Sequence, residues 1–144
     1  YDEYKLYITN IDPVSDGVNF KVRFKIAGSY ITSEIYEWWY LQANSSSNTA
    51  SGSGGNLRDS IGLGREMSNS QTPNSLEITC FDANSSNNKG ISFTGMIKNV
   101  NYIYTSIGVG AVTSSTSALQ GLRFYFSSGN INTATFKLYG ITKS

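Results

Sequence analysis

Side chains that alternate between apolar and polar along a run are satisfied together only in a strand with one face buried, and the end of this chain carries two such runs in succession. Leu122/Phe124/Phe126 and Ala134/Phe136/Leu138 flank the tetrad Ser127-Ser128-Gly129-Asn130, in which Gly and Asn tolerate the positive φ of a tight reversal. The pattern predicts a closing β-hairpin over residues 119–141. Its strands need neighbours at their edges and a second layer under their apolar face, so the rest of the chain must supply both. The strongest candidate is Val18/Phe20/Val22/Phe24/Ile26, which alternates with Asn19, Lys21, Arg23 and Lys25. Burying large apolar side chains of this kind is worth roughly 1.5–3 kcal/mol each before entropy is charged. This run and the closing pair are therefore expected to centre the core, with the three cations on the solvent face of an antiparallel strand.

Other runs fall into the same register. Tyr4/Leu6/Ile8 alternate with Lys5/Tyr7/Thr9 before the turn formers Asp12-Pro13-Val14-Ser15-Asp16-Gly17. Asp12 and Asp16 lack the regular spacing of the roughly six to eight oxygens that calcium takes, so this segment reads as a plain turn. Residues 42–56, a Gly/Ser/Asn/Ala tract with no large apolar residue, read as a long mobile loop, and residues 57–64 as a short strand. Residues 65–75 are polar and turn-rich. Leu76/Ile78/Cys80 read inward in the next strand, with Glu77 outward, and residues 82–88 form a surface loop. Residues 90–98 and 100–112 follow as antiparallel neighbours, Gly108 and Gly110 marking a bulge or a close backbone approach. The sum is about eight or nine short strands and no helix-period segment: an all-β antiparallel sandwich, for which a jelly roll is the best fit.

Composition narrows the chemistry. A chain of 144 residues is one domain, 1–144, able to bury roughly two thirds of its unfolded surface. A net charge of +1 without any basic block argues against a nucleic-acid partner. No apolar run reaches membrane-span length and no secretion-signal pattern opens the chain, so membrane insertion is not expected. The start at Tyr1, without an initiator Met, suggests a piece of a longer polypeptide. The single Cys80 sits on an apolar parity without a neighbouring cation and reads as a buried, inert thiol. With no histidine in the chain, imidazole catalysis and His-type metal sites are excluded. The carboxylates Glu34, Glu37, Asp59, Glu66, Glu77 and Asp82 show no pairing that would favour a glycosidase site. The expected protein is not an enzyme and uses no cofactor or metal.

Residues 34–41 break the pattern because both parities are apolar: Ile35/Trp39/Leu41 on one side, interrupted by Glu37, and Tyr36/Trp38/Tyr40 on the other. A two-layer core takes only one face, so a loop, a partner subunit or a ligand must cover the other. Burial by loops or oligomer contacts is one reading. The other is an aromatic platform in which Tyr36, Trp38 and Tyr40 stack on a sugar ring while amides in the polar tracts, Asn44, Asn48, Asn84 and Asn87, take its hydroxyls.

Two segments carry a family resemblance. GLRFYFSSGNINTATFKLYGI, residues 121–141, resembles the ending of a family of tailed-bacteriophage virion proteins, in which an (I/L)-R-F-Y-F-S-S-G-N segment precedes a strand ending in L-Y-G-I. YDEYKLYITNIDPVSDGVNFKVRF, residues 1–24, is similar to that family's opening, and the middle of the chain only to its composition. The resemblance implies a β-sandwich at the distal, C-terminal end of a tail fibre on the virion surface. It implies a homotrimer that associates with other virion proteins and meets a host polysaccharide or receptor protein, and it brings no catalytic motif. The alternatives are, second, an architectural module such as a head fibre, capsid decoration or fibre-trimerisation domain and, third, an accessory domain of a depolymerase.

Overall fold

A computed structural model describes residues 1–47, 49–70 and 74–142, and the strands among them account for all regular structure, with no helix. In chain order these are β1 (Glu3–Pro13), β2 (Phe20–Ile26), β3 (Ser29–Tyr30), β4 (Tyr36–Asn44), β5 (Ala50–Arg58), β6 (Ile61–Gly62), β7 (Asn74–Phe81), β8 (Gly90–Lys98), β9 (Ile103–Val112), β10 (Leu119–Phe126) and β11 (Ile131–Ile141). One sheet has seven strands in the order β11-β1-β7-β8-β9-β4-β5; in the other, of four strands, β2 pairs with β10, β3 and β6. The chain is an all-β antiparallel sandwich. The strand order does not by itself establish jelly-roll winding. The count of eleven exceeds the expectation because β3 and β6 are two-residue pieces and β5 arises from the tract read as a loop.

The core forms where the alternation places it. Phe20, Val22 and Phe24 of β2 are fully buried, facing Leu6 and Ile8 of β1, Leu76 and Ile78 of β7 and Phe93 of β8 within one cluster. Glu77 faces outward and pairs with Lys5 at 3.3 Å.

The closing hairpin is not a hairpin. Its two strands do not pair: β10 lies against β2 in the small sheet and β11 against β1 in the large one. The link between them crosses from layer to layer, held by Ser127 N–H to Asn19 O at 2.8 Å and Val14 N–H to Asn130 O at 3.0 Å, with Gly129 at φ 70°. Both strands are apolar on one parity, and facing each other across the core satisfies those faces as well as lying side by side would. Phe124 accordingly packs on Phe136 with ring centroids 5.5 Å apart. The small sheet does not extend over the full width of β11, so Phe136 stays 44% and Leu138 62% exposed.

The tract 42–56 is not a loop either. Its second half is β5, paired in register with β4 from Trp38↔Gly55 to Ala43↔Ala50. The reason is steric. A Cβ on Gly55 would lie 2.8 Å from the Trp38 indole, and one on Gly54 or Gly52 would lie 3.2 Å from that of Trp39. The two tryptophans occupy opposite faces of β4, and each covers glycine in the neighbouring strand, supplying the packing that β5 has no side chains to provide. The glycines of β9 play the same part: a Cβ on Gly110 would lie 2.7 Å from Ile61, and one on Gly108 would meet the Phe93 ring and sit 2.7 Å from Tyr40 Cβ. They mark a close approach, not a bulge, since pairing with β4 and β8 runs unbroken through both.

This packing decides which face of β4 looks inward. Tyr36 is fully buried and Tyr40 is 7% exposed, whereas Trp39 is 51% exposed. The inner parity is thus the Tyr36/Trp38/Tyr40 side, and the outer one places Trp39 and Leu41 beside Val109 and Ile107 of β9. Tyr36 also completes the small sheet. Between its short partners β6 and β3, β2 presents the Phe24 N–H, which donates to Tyr36 Oη at 2.8 Å while that hydroxyl donates to Ile31 O at 3.2 Å. Burial pushes the Tyr36 hydroxyl up to about 12 despite the Phe24 hydrogen bond.

If glycine at 108 is what lets Tyr40 and Phe93 meet β9, Gly108→Ala should lower unfolding free energy by about 1–3 kcal/mol in a urea titration, as overpacked cores do. An unchanged midpoint would contradict this packing account.

Candidate functional site

The sheets are unequal in width, and where the large sheet overhangs the small one on the β5 side there is a cleft of about 440 Å³. Trp38 and Tyr40 of β4 line it together with Ser53 and Gly54 of β5, Asn19 and Lys21 at the start of β2, and the segment Arg58, Asp59 and Ser60. The two rings are parallel, 5.6 Å between centroids and 5° between planes. Trp38 spans the gap between the layers, since a Cβ on Gly62 of β6 would lie 3.2 Å from its indole. Glycine at 55 in one sheet and at 62 in the other makes the slot for this ring.

A one-residue bulge shapes the mouth. The β4–β5 register shifts between Tyr36↔Arg58 and Trp38↔Gly55, and Leu57 takes φ 50°. A left-handed non-glycine residue in a bulged strand re-aims the next side chain, here Arg58. Arg23, on the outer face of β2, donates through Nε to Asp59 O at 3.0 Å and forms an ion pair with the Asp59 carboxylate, while Ser60 Oγ donates to Asp59 Oδ1 at 2.9 Å. Arg23 also lies 4.9 Å above the Tyr125 ring. Burial alone would raise the Asp59 pKa, but the hydrogen bonds from Ser60 and Arg23 and the charges of Arg23 and Lys21 outweigh it and hold the carboxyl below its ordinary value.

The residues expected to bind ligand are only partly brought together. Trp38 and Tyr40 share the cleft, as inward rather than outward residues. Tyr36 is sealed in the core, both its hydroxyl's bonds spent on the backbone, and cannot form part of an exposed platform. Asn44 Oδ1 accepts from Ser46 N–H at 2.9 Å and Ser47 N–H at 3.0 Å, so it caps the turn after β4. Asn48 lies outside the described residues. Asn84 donates to Tyr1 O at 2.6 Å. The backbone carbonyl of Asn87 accepts from Lys89, whose fully buried ammonium also donates to Ser85 O at 2.8 Å and gathers the 82–88 loop around itself. The turn after β4 abuts Ile103 and the 82–88 loop abuts Val112, the two ends of β9, about 30 Å apart at strand rise. The amides of the two loops cannot meet on one small ligand.

Arg58 is the residue the sequence reading missed; Lys21 and Asp59 entered it only as a cation on the outer face of β2, where an anion-binding stripe is the alternative to a plain solvent face, and as an unpaired carboxylate. The signal was there: a tract rich in glycine beside a strand with consecutive tryptophans implies rings lying on that tract, and therefore a paired strand delivering its last residues to them. Cys80 is buried as expected, its thiol pushed up to about 12 by burial and by Glu3.

At the opposite margin, between the unpaired edges of β10 and β11, runs a larger groove of about 610 Å³ lined by Leu6, Leu122, Phe124, Phe136 and Leu138 among others. Among the described residues its lining is mainly apolar and includes no charged side chain. Among the described residues no cluster of His, Cys, Asp and Glu could hold a metal ion, and no helix is long and apolar enough to cross a membrane.

No family model, curated protein or solved structure matches this chain.

The Asp59 contacts predict a pH effect. A carboxyl depressed in the folded state contributes stability that is present above its unfolded value, near 3.8, and lost as pH falls through the lower folded value. Denaturation midpoints of the parent chain should exceed those of Asp59→Asn at about pH 6, with the gap closing below about pH 4. A gap that persists at about pH 2 would contradict the ion-pair assignment.

Proposed function

We propose that this chain is a non-enzymatic receptor-binding module of a phage tail fibre that attaches the virion to a glycan on the host surface through the Trp38/Tyr40 cleft. The observation that carries the binding part is the parallel ring pair opening into a concavity rimmed by Asn19, Ser53, Asp59 and Arg58. Aromatic walls give a sugar's C–H face an apolar surface, and a few convergent polar groups fix its hydroxyls. The phage assignment is supported by the resemblance of residues 1–24 and 121–141 to virion proteins. In this reading the module works as a homotrimer on the exterior of the particle and needs no cofactor.

A second reading, a purely architectural virion module, is favoured by a different observation. Among the described residues the outer edge of β11, away from β1, has no strand partner, and the strand carries exposed Phe136 and Leu138 beside the apolar groove. An uncovered edge of that kind invites pairing with another chain.

Binding of the isolated chain to host cells and to purified surface polysaccharide separates the two. The receptor reading predicts saturable binding that falls at least about thirty-fold in Trp38→Ala, equivalent to about 2 kcal/mol, and is unaffected by Ile107→Thr on the outer face. Absence of binding by a folded oligomer of defined mass would favour the architectural reading.

A further inference from the structure

We infer that the cleft selects an acidic glycan, one carrying a carboxylate or sulfate on its ring. This rests on the glycan reading above and adds the class of sugar. The inference comes from the local charge balance. The chain as a whole has Lys+Arg 11 against Asp+Glu 10, close to neutral, yet of the acidic residues only Asp59 lines the cleft, against Lys21 and Arg58.

Asp59 does not neutralise them, because Arg23 from the outer face of β2 is already its ion-pair partner and Ser60 occupies its other oxygen. Lys21 acts on Asp59 only through its charge, and among the described residues neither Lys21 nor Arg58 forms an ion pair. Two cations that no carboxylate contacts directly therefore border the Trp38/Tyr40 rings.

The backbone places them there by specific means. Lys21 is the register partner of Gly62, the glycine on which Trp38 rests, so its side chain leaves β2 beside the indole. Arg58 is delivered by the β5 bulge, where Leu57 holds a left-handed conformation that non-glycine residues rarely adopt. A strained residue beside a concave aromatic site points to a constraint on the side chain that follows it. A neutral sugar makes poor use of this arrangement. Asn19 and Ser53 can serve a neutral sugar's hydroxyls, but the charges of Lys21 and Arg58 are then left unused. An anionic substituent takes charge-assisted bonds from Lys21 and Arg58, bidentate at the guanidinium, while the ring packs on the aromatics.

The test is calorimetric titration of the full chain with oligogalacturonate and sialyl-lactose as carboxylated probes, each beside its carboxyl-reduced analogue, and with a sulfated galactan oligomer beside its desulfated form. Acidic members of one or both series should bind at least about tenfold tighter than their neutral partners in low salt, with the ratio falling towards one at about 0.5 M salt. Which series shows the preference identifies the anion. Lys21→Gln and Arg58→Gln should each reduce the ratio, and the milder Arg58→Lys should retain more of it than Arg58→Gln. Equal affinity within every pair overturns charge selection and leaves the glycan reading in place. No binding of any probe, by a chain with an intact thermal transition, overturns both.

Discussion

A large ring in one strand of this protein is accommodated because glycine stands beside it in the next. Trp38 is slotted between Gly55 and Gly62, Trp39 lies along Gly52 and Gly54, Tyr40 and Phe93 close over Gly108, and Ile61 sits against Gly110. A side chain at Gly55, Gly108 or Gly110 would clash and something must shift, since cores are close-packed, while at Gly52, Gly54 and Gly62 the facing indole would have to give by a few tenths of an ångström. The glycine tract of β5 is therefore a strand completed by its neighbour's indoles. The cleft follows directly, because the ring that bridges the layers is the one that forms its wall.

Unequal sheet widths give the sandwich two margins of opposite character. On the β5 side the overhang ends in polar and charged groups, with Arg23 and Ser60 holding Asp59 in place and the bulge presenting Arg58. On the β11 side it ends in apolar residues and an unpaired edge. In the reading proposed above, the first is the site for a small polar ligand and the second a surface for another protein. A module that both contacts a host glycan and belongs to a larger assembly needs one of each, which is why the receptor-binding and architectural readings draw on different parts of the same fold.

What could be read from the chain was whatever depended on alternation alone. β2, β7 and β8 lie where the period-two pattern puts them, with Phe20, Phe24 and Ile78 inward and Glu77 outward. Pairing was less legible, because Leu122/Phe124/Phe126 and Ala134/Phe136/Leu138 suit two strands facing across a core as well as two lying side by side. Periodicity failed outright where packing is by glycine: β9 turns Gly108 and Gly110 inward and Ile107 and Val109 outward, the reverse of a hydropathy reading. The ligand-binding expectation split along the same line. Trp38 and Tyr40 reach a common cleft, Tyr36 is consumed by the core, the Asn44 and Asn84 side chains bond to turn and terminal backbone, and Asn87 stands in the 82–88 loop, away from the cleft lining.

The ring-against-glycine arrangement is open to direct observation by proton NMR. It predicts strong upfield ring-current shifts for the Hα protons of Gly52, Gly54 and Gly55, with nuclear Overhauser contacts from the Trp38 indole to Gly55 and Gly62 and from the Trp39 indole to Gly52 and Gly54. Glycine Hα shifts at random-coil values, with no indole contacts, would mean that residues 50–58 do not pair with β4 and that the cleft does not form as described.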